Sequence, residues 1–360
     1  MTISYFIILS IIIYIILPKK NQMLVVFTTA FLMSILAFYL TDKNQYDLIA
    51  HRELYDTLQD GGISAAMLYS AIDRSPLFIW IVYGMSFLDD NRFTTAIPTF
   101  IGYFILVYIL VRTFQKYERK KNIQVCCLMF LMFVIPWQDY SAGVRGALAF
   151  SLCCYGIYLE FRRQKRLLGI LFYVVPLFIH QASIIFLILR LLVYIIDICP
   201  SFKKNIYALC LLAGSMTEFM GGIIEDIANM TGIRILSIIS HSFNGYTSKV
   251  DDIYEYSIVI LRIFAVLIIY FVSRKYYNRV IEPHAESSIY SIYTMLMLLS
   301  IGFVWQYDIV CRYTVACMML SPLILYRCSE KYSILMFVFA IFNFIYYNSS
   351  YYIKWEILFQ

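Results

Sequence analysis

Charge is scarce in this chain: only 14% of its 360 residues are Asp, Glu, Lys or Arg, against 61% hydrophobic ones. A water-soluble domain needs roughly a quarter of its residues charged, so that class is excluded. Paired cysteines are missing as well. None of the nine cysteines stands in a Cys-x-x-Cys spacing, and Cys126, Cys127, Cys153, Cys154, Cys210 and Cys317 all fall inside apolar runs. Neither a disulfide framework nor a zinc site is indicated. No Asp-x-Asp pair occurs in the polar segments, and the adjacent carboxylates Asp89-Asp90 and Asp251-Asp252 read as loop solvation rather than metal ligands. The sequence therefore predicts neither metal nor cofactor. Short alternating segments are also lacking, which sets a β-barrel aside, because the apolar runs are continuous over roughly 15 to 20 residues, the length of a membrane-crossing helix.

What is present is a series of such runs punctuated by short basic clusters. Most of the Lys and Arg residues behind the net charge of +6 sit in these links, so it reads as a topological signal rather than as a nucleic-acid surface. The first run, Ile3 to Leu17, has no basic residue ahead of it and no small-residue cleavage site, so a retained span is expected rather than a signal peptide. Lys19-Lys20, the stretch Arg112 to Lys121, Arg162-Arg163-Gln164-Lys165-Arg166, Lys203-Lys204, Arg274-Lys275 and Arg327 with Lys331 mark the cytoplasmic side. The long polar segment Thr41 to Ser75 then lies outside, and the alternation holds if Pro76 to Leu88 is a re-entrant or interfacial helix. The predicted fold class is all-α: one polytopic integral membrane helix bundle over residues 1–360. It has about twelve spans, both termini external, and external loops at about 41–92 and 225–255.

The chain is organised around Pro136 to Ser183. An apolar run ends at Pro136-Trp137, the polar knot Gln138-Asp139-Tyr140-Ser141 follows, and Arg145 opens the next apolar helix. That helix runs into the basic cluster at 162–166, after which a further run carries His180 at its far end. Arg145 and His180 thus share the face opposite the basic cluster, and ionisable groups at span ends are costly enough to mark function. The turn Gln306-Tyr307-Asp308 with Arg312 one helical turn on, and the loop bearing Asp47, converge on the same face. Two guanidiniums and a histidine around one cavity suit an anion, and a lipid diphosphate is the anion available at that depth. Arg262, inside a later span, is a candidate of the same kind. Each residue also has a structural alternative: Arg145 as an interface anchor, His180 as a satisfied core histidine, Arg312 as the i,i+4 partner of Asp308. The many tyrosines fit aromatic belts or a wet sugar-binding groove.

These residues carry a family resemblance. Tyr46-Asp47 followed by Tyr55, then Ser75-Pro76-Leu77-Phe78, Gly143-Val144-Arg145-Gly146-Ala147-Leu148-Ala149, Ile179-His180-Gln181-Ala182-Ser183-Ile184 and Asp308-x-x-x-Arg312-Tyr313 resemble, in that order, the Wzy/EpsG-type polysaccharide polymerases. The resemblance implies a GT-C-like glycosyltransferase of the bacterial cytoplasmic membrane, active on its external or periplasmic face. It would join undecaprenyl-diphosphate-linked repeat units of an O-antigen, capsule or exopolysaccharide. Partners implied are the lipid-linked donor and acceptor oligosaccharides, membrane lipid and a chain-length regulator. Arg145 and Arg312 would meet the charge developing on the diphosphate leaving group. Asp47, Asp139 or neutral His180 would assist the accepting hydroxyl. Substrate contacts are expected from Tyr46, Tyr55, Asp73, Tyr140, Arg262, Tyr307 and Asp308. A ligase or other lipid-linked-glycan transferase would need the same site, and a flippase for such lipids is the alternative of another class. Internal two-fold repetition would favour the flippase, and none is visible.

Overall fold

The computed structural model describes residues 22–40, 46–215, 253–274 and 283–350, with isolated positions at 15, 223, 226–227 and 229–231. Of the expected first span only Ile15 is among them, and most of the expected external loop at 225–255 lies outside them. Among the described residues every regular element is a helix.

Helix α4, Phe93–Lys116, is 24 residues long, ~36 Å at 1.5 Å per residue and so sufficient for the ~30 Å of a hydrocarbon layer. Asp90 prepares its start by accepting the Arg92 backbone N–H and the Arg92 Nε–H, each at 2.9 Å. Helix α1, Gln22–Phe38, lies along α4. Ser34 Oγ donates to the Ala96 carbonyl at 2.9 Å and Thr95 Oγ1 to that of Ala37 at 3.0 Å. Hydroxyls joined in this way across helices satisfy polar atoms where no water competes.

The polar segment expected as a loop between these helices is mostly helical: α2 spans Tyr46–Ile72. Gly62 breaks it at φ 59, ψ −150, a conformation essentially restricted to glycine. The half before the break is polar. The half after it exposes Ile63, Met67, Leu68 and Ile72, the apolar stripe of an interfacial helix. Helix α3, Pro76–Met85, has ten residues, ~15 Å of helix and about half a bilayer.

Pro136 stops α5, Lys121–Val134, after which the short α6, Trp137–Ala142, leads into α7, Val144–Ile157. The span continues through one π-helical turn, Tyr158–Arg162. Helix α8, Arg166–Val174, packs back on α7 where Gly156 and Gly169 meet. A Cβ on Gly169 would sit 2.9 Å from that of Glu160, so only glycine permits this approach. Helix α9, Ile184–Ile198, and α10, Lys203–Ser215, follow. Then come α11, Ile253–Arg274, α12, Pro283–Gly302, α13, Tyr307–Leu320, and α14, Glu330–Ser350.

Helices α4, α7 and α13 share one direction, which positions everything below. At their C-terminal ends Arg162 reaches the Tyr117 hydroxyl at 2.6 Å and the Leu323 carbonyl at 2.9 Å. Tyr117 stacks on Tyr326 with centroids 4.1 Å apart, and Arg119 donates to the Cys328 carbonyl. Basic groups at helix C-termini complement the macrodipole there. The N-terminal ends of α7 and α13 therefore lie together at the opposite end, carrying Arg145 and Arg312. Among the described residues four helical runs are long and apolar enough to cross a membrane: Phe93–Lys116, Val144–Arg162, Gln181–Ile198 and Glu255–Arg274. Six shorter apolar helices accompany them, α1, α3 and α5 among these. The result is an all-α bundle. A count of twelve spans goes beyond these ten apolar helical segments.

Candidate functional site

A satellite core fixes the site. Tyr55 and Leu58 from α2, Phe78 and Ile79 from α3, Val144 and Leu148 from α7, and Ile179 from the turn after α8 are buried against one another. The α2–α3 pair is thereby clamped onto the start of α7, and the polar residues at the edge of this core are forced together.

Phe78 is the common floor. The His51 ring packs edge-on against it with centroids 5.1 Å apart, and the Arg145 guanidinium carbon lies 5.8 Å from its centroid. His180 comes from a different direction. Its extended backbone, φ −155, ψ 116, joins two 3₁₀ turns, Val175–Phe178 and Gln181–Ser183, so it lies in the connection between two apolar helices and outside both. That connection is held tightly: the His180 N–H donates to the Pro176 carbonyl at 2.8 Å, and its own carbonyl accepts the Ser183 hydroxyl at 2.8 Å. The imidazole packs against Phe150 at 6.0 Å. A Cβ on Gly146, next to Arg145, would sit 3.5 Å from its Cδ2.

Arg312, on the first turns of α13, approaches Asp47 on α2 with Nη2 and Oδ2 4.0 Å apart. Both side chains are substantially exposed, at 37% and 61%, so solvent screens the pair and it contributes little to stability. Arg262, fully buried in α11, donates from Nη1 to the Cys311 carbonyl at 3.2 Å. It thus holds the backbone beside Arg312. Tyr307 and Asp308 form the first turn of α13, where a carboxylate is favoured by the helix dipole.

The electrostatics follow from crowding cations around a buried imidazole, His51, and a half-buried one, His180. Burial, and then Arg145, pushes His51 down to about 3. Burial, then Arg312, Arg145 and His51, does the same to His180. Both are neutral near pH 7, leaving two guanidiniums as the positive charge and two imidazoles as hydrogen-bonding groups.

Other expected residues stand apart. The Tyr55 hydroxyl is occupied structurally, donating to the Leu88 carbonyl and accepting the Asp90 N–H at 3.1 Å. Tyr140 is buried in the main core, its hydroxyl 2.8 Å from Ser151 Oγ and its ring 4.8 Å from Tyr103. Asp73 accepts the Ser75 N–H at 2.6 Å and shapes the turn into α3. The side chains of Tyr46 and Asp139 lie outside the described residues. His51 is the residue that reading the sequence missed. Its signal is the spacing Asp47, His51, Tyr55, one residue every four along a single helix face, hidden because so polar a segment reads as a loop.

An all-α bundle of apolar helices, with two arginines, the buried His51 and the half-buried His180 gathered where helix ends meet, has the character of a membrane protein. The chain belongs to the EpsG family, which it matches over residues 45–357. That match begins at the edge of α2, so it includes His51, Arg145, His180 and Arg312. Membership associates the chain with polysaccharide biosynthesis at a membrane, as a polymerase-like protein. No curated protein and no solved structure matches the chain.

Proposed function

We propose that the chain is a polysaccharide polymerase that transfers a growing glycan from undecaprenyl diphosphate to a hydroxyl of a second lipid-linked repeat unit, with inversion at the anomeric carbon. The observation that carries this reading is the gathering of Arg145 and Arg312 around Asp47, His51 and His180. In the reaction the acceptor oxygen bonds to the anomeric carbon while the bond from that carbon to the diphosphate oxygen breaks. The electron pair leaves with the diphosphate. Charge grows on the leaving oxygen, and preorganised guanidiniums stabilise that charge where it develops. The N-terminal ends of α7 and α13 add their dipoles in the same sense. His180, being neutral, supplies a hydrogen bond rather than a third positive charge.

The topology belongs to the same proposal: one integral domain of the bacterial cytoplasmic membrane, about twelve spans, α3 re-entrant or interfacial, the site external. Lipid-linked donor and acceptor bind there, and a chain-length regulator is a further partner.

The purified full chain, reconstituted with a lipid-linked oligosaccharide, is expected to produce a ladder of elongated glycans. Arg145→Ala and Arg312→Ala should each lower the rate about 10²-fold or more, as loss of a transition-state donor does. Folding should be little changed, and Arg145→Lys should rescue poorly because a point charge does not replace a guanidinium fork. Normal ladders from both alanine variants would make these arginines interface anchors and end this reading.

A further inference from the structure

His51 stands on the face of α2 that also carries Asp47, one turn earlier, and it packs on Phe78 together with Arg145. Its ring is 5% exposed. The charged and titratable groups around it come from every neighbouring element: Arg145 on α7, His180 from the turn after α8, Arg312 on α13 through Asp47, and Asp47 on its own helix. A buried imidazole whose nearest cation is a prospective diphosphate ligand has a property that an exposed histidine lacks. Its proton affinity depends on whether that cation is neutralised.

We infer that His51 is the general base of the transfer, accepting the proton of the attacking hydroxyl, and that docking of the donor's diphosphate on Arg145 and Arg312 switches it on. The inference rests on the polymerase reading above. With the site empty, burial and the guanidinium keep the imidazole too weak a base to be useful. A docked diphosphate offsets the field of Arg145 and adds negative charge near the ring, which favours the imidazolium. The hydroxyl oxygen then bonds to the anomeric carbon, its proton passes to a ring nitrogen of His51, and the lipid diphosphate departs with the electron pair. Departure of that anion restores the uncompensated Arg145 beside the imidazolium, and His51 releases its proton to water. The base therefore resets with each product release. Asp47, one turn away and exposed, favours the transient imidazolium from the solvent side.

The test uses the full chain in nanodiscs, labelled with ¹⁵N at histidine, with undecaprenyl diphosphate as the probe. The His51 pKa should rise by at least one unit when the probe is bound, a tenfold or larger gain in proton affinity. An unchanged His51 pKa in protein shown to bind the probe overturns the switch. In parallel, His51→Gln should keep probe affinity within about threefold and lose elongation rate by about 10²-fold or more, the range of a general base. Added imidazole should restore part of the activity of His51→Ala. If His51→Gln elongates within threefold of wild type, or loses probe binding along with activity, His51 is not the base. Failure of the wild-type protein to bind the probe at all overturns the polymerase reading itself, and this inference with it. Probe binding that Arg145→Ala abolishes while His51→Gln elongates normally removes only the role of His51.

Discussion

His51 and His180 are each pushed down to about 3, chiefly by burial, whereas an unfolded chain holds them near 6.5. Between those values the unfolded state binds protons that the folded state refuses. Stability from these groups is therefore complete above about pH 6.5 and declines as pH falls toward the folded value, by about 1.4 kcal/mol per pH unit for each histidine. In detergent the midpoint of thermal unfolding should drop steadily from pH 6.5 to pH 4. A His51→Gln, His180→Gln double variant should show a visibly shallower slope. Equal slopes would mean that the two rings are not buried and neutral. At this scale the sequence was partly legible. Arg145, His180 and Arg312 stand out because each interrupts or ends an apolar run, where an ionisable group has no inexpensive explanation. His51 did not, because it is one polar residue among Asp47, Arg52, Glu53, Asp56 and Asp60. Tyr55 and Tyr140 resemble sugar-binding tyrosines in sequence, and only the structure shows that their hydroxyls have partners within the protein.

At the scale of elements, Arg145 stands on α7 and His180 in the turn between α8 and α9, and these three helices are joined through Glu160. Glu160, in the π turn that ends the α7 span, accepts Arg190 of α9 at both carboxylate oxygens, Nε lying 2.8 and 3.0 Å away, and the Tyr173 hydroxyl of α8 at 2.9 Å. Three helices are thus fixed at one level, and the turn bearing His180 is suspended between two of them. The Glu160 side chain is 6% exposed. A buried pair of this kind stabilises less than its geometry suggests, but removing one partner strands a charge, at a cost of about 3–5 kcal/mol. Arg190→Ala should therefore unfold the protein at markedly lower temperature. Glu160→Leu with Arg190→Met, which removes both charges, should recover most of that loss. A double variant as unstable as the single one would show that the pair itself, and not the stranded charge, holds the helices together. Neither residue was legible as a partner of the other, since Glu160 borders a basic cluster in sequence and Arg190 sits thirty positions on. Helix α2 was missed because its polar half shows no apolar stripe and its apolar half begins only after Gly62.

For the whole molecule, the two ends of α7 are chemically opposite. Arg145 faces the histidines, while seventeen residues on, ~26 Å at helical rise, Arg162 joins the tyrosines and C-terminal carbonyls. That separation approximates one hydrocarbon thickness. Basic clusters favour the cytoplasm, so the arginine-rich end should face inward and the site outward. This polarity is an expectation from charge alone, because the positive-inside rule acts on linkers, which are short and easily read. The role of Pro76 to Met85 was less legible: a short apolar run reads as a crossing or as a half-entry, and the choice decides on which side the link after α4 falls. Ten residues of helix are too few to cross, which supports the half-entry and an internal location for Glu118. In a variant lacking the native cysteines, Asp60→Cys should react with a membrane-impermeant maleimide in intact cells, and Glu118→Cys should react only after permeabilisation. Labelling of both in intact cells would mean that α3 crosses after all, that the basic end of α4 faces outward, and that the inward and outward assignments from α4 onward must be exchanged.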